Sequence, residues 1–302
     1  MNVIAVVVTY NRSELLKKVL ECLCAQSRKP KSIIVVDNAS TDDTAKVISE
    51  KKLSTDIKIM HIKLETNLGG AGGFYHGMVA AYKSNAEYIW LMDDDCMPTP
   101  TALEALQNCA IKSDNSIGFL SSYVAYKDGN TCISNVPGPH PSWLSDFSDK
   151  NNNINRVRLG WATFVSCFVS REAISKVGFP VKEFFIWGDD VEYTGRVSSK
   201  FNCYFVPESI VHHHTSENKS NTYNYVNEKT IWKFKYAMRN IVAYIRYTQP
   251  LGIIRAISYW RGAYSEMRIG NVPIKYRIIL FFQWCRGITF NYKKFIVMPD
   301  RV

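Results

Sequence analysis

The segment Tyr88-Ile89-Trp90-Leu91-Met92-Asp93-Asp94-Asp95-Cys96 runs from a short apolar stretch straight into three consecutive carboxylates. This pattern predicts a buried strand that delivers acidic side chains to one end of a sheet. Adjacent acids repel one another, so the cluster is either a solvated acidic turn or a site compensated by a cation. Mg²⁺ and Mn²⁺, hard ions that take oxygen ligands, suit the second case.

Upstream, residues 3–8, 33–36 and 57–64 are further apolar runs rich in β-branched side chains, as expected of strands buried on both faces of a parallel sheet. Helical spacing of Leu16, Val19, Leu20 and Leu23 places a helix between the first two, with Ser13 as its expected cap. Thr41, Asp42 and Asp43 begin a second helix with negative charge in its first turn, where the helix dipole favours it. A third helix, over 75–82, returns the chain to the acidic strand. This alternation predicts an α/β domain with a mostly parallel sheet and right-handed crossovers. Ligands bind beyond the carboxyl ends of such strands. Residues 9–12, Asp37, residues 67–73 and the three acids each follow a strand, so one pocket is expected to gather them.

The glycine run Asn67-Leu68-Gly69-Gly70-Ala71-Gly72-Gly73-Phe74 completes neither the dinucleotide fingerprint nor a P-loop. It reads either as a loop that lets the backbone approach a ligand closely or as a turn packed under a helix. Downstream, Thr99-Pro100-Thr101 opens a helix, and residues 117–126 form a strand entering a hairpin at Lys127-Asp128-Gly129-Asn130. Residues 135–155, rich in Pro, Asn and Ser, are expected to form a surface loop that moves over a substrate; 161–170 reads as a strand and 171–177 as a helix ended by Gly178. In Trp187-Gly188-Asp189-Asp190-Val191-Glu192, two adjacent acids open a helix beside an aromatic ring. They suit a general base with a sugar ring held on the indole face, or an acidic first turn that stabilises its own helix. Any one of His212, His213 and His214 has the chemistry to complete a metal site begun by Asp93 and Asp95.

With 46% hydrophobic and 21% charged residues, the 302-residue chain has the balance of an ordinary globular protein able to bury a core. Eight cysteines without a C-x-x-C pair suggest neither a zinc site nor a disulfide framework, and fit reduced thiols in cytoplasm. The apolar runs at 3–8 and 278–285 fall well short of the ~20 residues that a spanning helix needs. The formal charge of +10 is concentrated after residue 215, where fifteen Lys and Arg face four Asp and Glu. This asymmetry predicts a basic appendage, residues 216–302, that meets phospholipid, pyrophosphate or nucleic acid. Within it, Ile231, Phe234, Met238, Ile241, Val242 and Ile245 form a helical stripe, with Lys233, Lys235, Arg239 and Arg246 lying off it. Such helices either pack on the preceding domain with a solvated basic face or contact anionic lipid.

Taken together, these motifs resemble those of the inverting family 2 glycosyltransferases of GT-A fold, most closely bacterial galactofuranosyltransferases, over residues 1–215. The motifs that carry the resemblance are Thr9-Tyr10-Asn11-Arg12, Asp37-Asn38-Ala39-Ser40, the Asn-x-Gly-Gly-x-Gly-Gly-Phe run, Asp93-x-Asp95 and Trp187-x-Asp-Asp-x-Glu192. The resemblance implies that Thr9 and Asp37 hold the uracil and ribose of a UDP-sugar. Arg12, Asn67 and Gly72 would lie near its diphosphate and sugar, together with Asp93 and Asp94. Asp93, Asp95 and His212 would bind Mn²⁺ or Mg²⁺. Asp190 would be the base, with Trp187, Asp189, Glu192 and Arg239 on the acceptor side. It further implies UDP-galactofuranose as donor, a lipid-linked saccharide of a bacterial surface polysaccharide such as O-antigen as acceptor, and a cytoplasmic enzyme peripheral on the inner face of the membrane. Gly188 between the tryptophan and the acids departs from the related pattern. Beside this reading stand a rhamnosyl- or other hexosyltransferase of the same fold and, from another class, a non-catalytic nucleotide-sugar or nucleic-acid binder. The tail has no recognisable helix-turn-helix or base-stacking motif, so no nucleic-acid partner is expected.

Overall fold

The computed structural model describes residues 1–112, 117–144 and 156–302. Its first half is the expected alternation: β1 (Val3–Thr9), α1 (Ser13–Cys24), β2 (Ser32–Asp37), α2 (Thr44–Leu53), β3 (Lys58–Lys63), α3 (Gly69–Lys83) and β4 (Tyr88–Asp93). β1 pairs in parallel with both β2 and β4, and β2 with β3. Every residue of β1 is buried, because the strand serves two cores. Val3, Ala5 and Val7 pack with Leu16, Leu20 and Leu23 of α1, whereas Ile4, Val6 and Val8 pack with Met78 and Ala81 of α3. The apolar run is continuous because both faces of the strand are covered.

After β4 come β5 (Cys96–Pro98), α4 (Ala102–Lys112), β6 (Ile117–Tyr126), the short pair β7 (Gly138–Pro139) and β8 (Leu159–Trp161), β9 (Cys167–Ser170), α5 (Arg171–Val177), α6 (Asp189–Ser198) and β10 (Asn202–His213). The main sheet has the order β3-β2-β1-β4-β9-β6-β10-β5. β9 runs antiparallel to β4 and β6, and β5 antiparallel to β10, while β6 and β10 are parallel. Three helices complete the chain: α7 (Ile231–Thr248), α8 (Gly252–Ile269) and α9 (Ile274–Thr289). Among the described residues, no helix is long and apolar enough to cross a membrane.

Several expectations change. Ser13 is the first residue of α1, not its cap; its N–H is taken by Asp42 Oδ2 at 2.9 Å. The glycine run is the first two turns of α3 and not a loop. A Cβ at Gly73 would run into Val8, and one at Gly77 into Val6. These glycines bring the helix backbone onto the strands, which is a packing reason for their spacing. The strand expected over 161–170 is broken between β8 and β9. Both backbone groups of Ala162 there bond the Thr194 hydroxyl of α6, at 3.0 Å each, in place of a neighbouring strand. Of the loop expected over 135–155, residues 145–155 lie outside the described residues.

Candidate active site

Asp93 ends β4, and the turn to β5 carries Asp94 and Asp95. Asp94 Oδ2 accepts the Thr9 hydroxyl at 2.7 Å, and Arg12 Nη1 bridges Asp94 Oδ1 at 3.1 Å and Asp95 Oδ2 at 2.8 Å. The carboxyl ends of β1 and β4 are therefore tied together by the charge that three adjacent acids require. Asp95 Oδ1 lies 3.1 Å from His213 Nε2, while His213 Nδ1 lies 2.8 Å from Asn135 Oδ1. With Nδ1–H donated to Asn135, the ring presents Nε2 to the acids.

One ligand atom from each of Asp93, Asp95 and His213 falls within 4.8 Å of the others. Two carboxylates and an imidazole are a donor set suited to Mn²⁺ or Mg²⁺, so the residues present fit a divalent ion. The histidine beside the acids is His213 and not the expected His212. Strand register makes the difference: in the antiparallel β5–β10 pair, His213 stands opposite Cys96 and His212 opposite Met97, and neighbouring residues of a strand point to opposite faces. His214 bonds the turn only through its backbone, its N–H donating to Asp95 O at 2.8 Å.

Electrostatics separate the three acids. Burial pushes Asp93 up to about 7, with the negative charge of Asp95 adding to it. Asp94 is likewise pushed up by burial, to about 6, although Arg12 opposes the shift. Burial acts on Asp95 too, but its bonds to His213 and the charges of His213 and Arg12 win and hold it below the usual carboxylate range. Burial disfavours the His213 imidazolium, yet its bonds to Asp95 and Cys132 and the charges of Asp95 and Asp93 raise it to about 10.

A cavity of about 830 Å³ opens beyond these strands. Thr9, Tyr10, Arg12, Asn38, Asn67, Gly69, Gly70, Asp93 and Asp94 line one wall, so three of the four expected strand-end segments reach the cavity, and the fourth does so through Asn38 in place of Asp37. Asp37 itself is fully buried behind Asn38, with Oδ1 accepting the Ser40 N–H at 2.7 Å and Oδ2 lying 3.4 Å from His61 Nε2. Asn67 Oδ1 accepts the N–H of Gly69 at 2.8 Å and sets the start of α3. Gly72 is buried against Leu68 and does not line the cavity; Gly69 and Gly70 do.

The opposite wall comes from Phe185 and Ile186, and from Trp232, Lys233, Lys235, Tyr236 and Arg239 of α7 with Gln283 and Arg286 of α9. Phe185, Trp187 and Gly188 all have positive φ, at 66°, 61° and 89°. Left-handed backbone at two bulky aromatic residues is strained and needs outside support. Asn240, fully buried, supplies it: Nδ2 is placed to donate to Phe184 O at 2.9 Å, Ile186 O at 3.2 Å and Trp187 O at 2.7 Å. Arg239 Nη2 adds a bond to Glu183 O at 2.8 Å. The Arg239-Asn240 pair thus shapes the segment that leads into α6.

Asp189 and Asp190 open α6, and the Val191 N–H donates to Asp190 Oδ1 at 2.8 Å. Burial pushes Asp190 up to about 6 against that backbone bond. It pushes Asp189 well above the usual range, reinforced by the charge of Asp190 and, from across the site, of Asp93. The two acid clusters are therefore close enough to feel each other. Two expected acceptor residues are committed elsewhere. Glu192 is 1% exposed and holds Arg196 through both oxygens, Oε1 to Nε at 2.8 Å and Oε2 to Nη2 at 3.0 Å, beneath α6. Trp187 packs edge-on against Phe234, with ring centroids 5.1 Å apart, in the core of the C-terminal helices. Sequence reasoning left the three histidines open, and the choice among them required strand register. Asn135 and the lining residues of α9 left no local signal.

Residues 4–178 match the family model of Glycosyl transferase family 2. Over 201 residues the chain is 31% identical to the galactofuranosyltransferase GlfT1 of Mycolicibacterium smegmatis, which covers 65% of this chain and 65% of that protein. The match thus spans just under two thirds of the relative's own length. Among solved structures, residues 1–349 of Staphylococcus aureus TarS in complex with UDP-GlcNAc align with a TM-score of 0.61 at 14% identity, covering 98% of this chain and 84% of that one. The mannosyltransferase PcManGT of Pyrobaculum calidifontis, in complex with GDP-Man and Mn²⁺, aligns with a TM-score of 0.54 at 15% identity, covering 96% and 86%. At these identities the structural likeness speaks for the fold, which is the GT-A fold that the sequence predicts.

Proposed function

This chain belongs to glycosyl transferase family 2, and from that premise we propose that it moves galactofuranose from UDP-galactofuranose to a hydroxyl of a lipid-linked saccharide, inverting the anomeric carbon. The observation that carries the reading is the convergence of Asp93, Asp95 and His213 within 4.8 Å of one another, with Asp93 also lining the cavity, and a second acid pair at the start of α6. Likeness to a galactofuranosyltransferase favours the furanose donor.

In this reading the nucleotide lies along Thr9, Tyr10 and Asn38, with its diphosphate toward Arg12 and the first turn of α3, where helix N–H groups favour an anion. Asp93, Asp95 and His213 would hold Mn²⁺ or Mg²⁺, which would supply positive charge against the departing UDP. Arg12 adds a second positive charge beside that leaving group. Asp190 accepts the acceptor's hydroxyl proton as oxygen attacks the anomeric carbon. Its raised pKa suits this role, because a base poised near neutrality combines availability with proton affinity. Asp189, pushed well above the usual carboxylate range by burial, neighbours the base. A single displacement inverts configuration. The cations Lys233, Lys235, Arg239 and Arg286 face the cavity from the C-terminal helices and suit the phosphate of a lipid-linked acceptor.

Calorimetric titration with UDP, UDP-galactofuranose, UDP-galactopyranose, UDP-glucose and dTDP-rhamnose, with Mn²⁺ or with chelator, tests the assignment in the natural protein and in Asp95→Ala. Metal-dependent UDP binding that the substitution abolishes, tightest for the furanose donor, is the expected result. Preference for dTDP-rhamnose would replace the sugar and keep the mechanism. Failure to bind any nucleotide sugar would sink the transferase reading.

A further inference from the structure

The outer surface of α8 and α9 is apolar where a packed helix pair is ordinarily polar. Each helix buries a narrow stripe, Ala256, Ala263 and Met267 on α8 and Tyr276, Leu280 and Gly287 on α9. A second stripe at helical spacing stays in the open: Ile253 and Ile257 on α8, and Ile274, Ile278, Phe281 and Phe282 on α9, where Ile274 is 63% and Phe282 62% exposed. The two stripes form one surface, since Trp260 of α8 meets Phe281 of α9 at 5.3 Å and Arg277 lies 5.7 Å from the ring of Tyr264. A continuous exposed apolar face of this kind marks a contact surface.

Charge selects the partner. Arg255, Arg261 and Arg268 on α8 and Lys275 on α9 are exposed on these helices, while their one acid, Glu266, accepts the Tyr223 N–H at 2.8 Å on the side turned toward the protein. A second copy of the chain, paired symmetrically, would set these cations against one another. We propose that this face seats the protein on an anionic lipid bilayer, with isoleucine and phenylalanine side chains entering the interface and the arginines and lysine meeting headgroup phosphates. Neither helix spans a bilayer, so the contact lies along the membrane surface. On α9 the apolar stripe runs on into Gln283 and Arg286, one turn beyond Ile279 and Phe282, and these two line the cavity. A lipid-anchored acceptor would therefore reach the cavity along α9; this last clause rests on the transferase reading, whereas the seating does not.

The test is flotation of the full chain with vesicles of phosphatidylcholine alone or with added phosphatidylglycerol, for the natural protein, Ile278→Ser/Phe282→Ser and the charge variant Arg261→Glu/Lys275→Glu. Oligomeric state is followed by light scattering and folding by thermal melting and UDP titration. The natural protein is expected to float with the anionic vesicles and poorly with the neutral ones. Each double variant should lose about tenfold or more in partition while melting and binding UDP as before. Should the serine variant fold poorly, the charge variant decides alone. Equal flotation with both vesicle types, or undiminished flotation of the variants, overturns the proposal. So does a dimer that the serine variant dissolves without any vesicle binding, because a second copy would then own the face. Loss of UDP binding with vesicle binding intact would fault the transferase reading and leave the seating in place.

Discussion

Two pairs of adjacent acids stand at the end of β4 and at the start of α6, and among the described residues cations bond only the first pair. Asp94 and Asp95, on the turn after β4, are met by the Arg12 guanidinium, and Asp95 also by His213, within 3.1 Å. Asp189 and Asp190, at the start of α6, have backbone N–H groups and a helix terminus but no cation bonded to them among the described residues. Asp95 is accordingly held below the usual carboxylate range although burial raises its neighbour Asp94 to about 6, whereas burial raises both Asp189 and Asp190. Environments that drive like groups apart divide the work between them. Asp95 suits holding positive charge, Asp190 taking up a proton.

The sharpest way to break that division is Asp190→Asn, which keeps shape and hydrogen bonding but removes the base. Transfer should fall by about 10³-fold with UDP titration unchanged. A variant retaining more than a tenth of the activity would move the base elsewhere. Next is Asn240→Ala, which strips the donor shared by three carbonyls of the segment before α6. Unfolding in urea should show a loss of about 2–3 kcal/mol, with activity falling as Asp190 loses its setting.

The histidines test the other side. His213→Ala should weaken Mn²⁺-supported UDP binding by about 10–100-fold, and His212→Ala by less than about twofold, since removing a ligand of a metal site has that scale. An equal effect of both would contradict the register argument. The smallest effect is on pH. Asp190 must be deprotonated to accept a proton, and its pKa is raised to about 6. Activity should therefore be full above that value and fall about tenfold per unit as pH drops below it. A profile flat down to pH 5 would remove Asp190 from the rate equation.

Thr9, Arg12, Asn67 and Asp93 were legible in the sequence because each follows an apolar run in an α/β alternation, and such sheets bind ligands where strands end. Glu192 was misread for a physical reason: an acid in the first turn of a helix looks the same whether it faces a ligand or an arginine four residues on. Here Arg196 claims it, and donates as well to Phe179 O at 3.1 Å. The basic tail was legible as amphipathic helices, but not as a cavity wall. Residues 233–239 and 283–286 meet the acids only because α7 and α9 pack together, and Asn240 reaches back more than fifty residues.

Local sequence alone determined the four parallel strands of the first half, their order along the chain and the end of the sheet where the acids gather, because burial on both faces and helical periodicity are written within a few residues. Tertiary structure decided which histidine meets Asp95, which glycines face the cavity and which acids stay available. Those choices depend on strand register, on how closely a helix lies against a sheet, and on partners that come near only when the chain is folded.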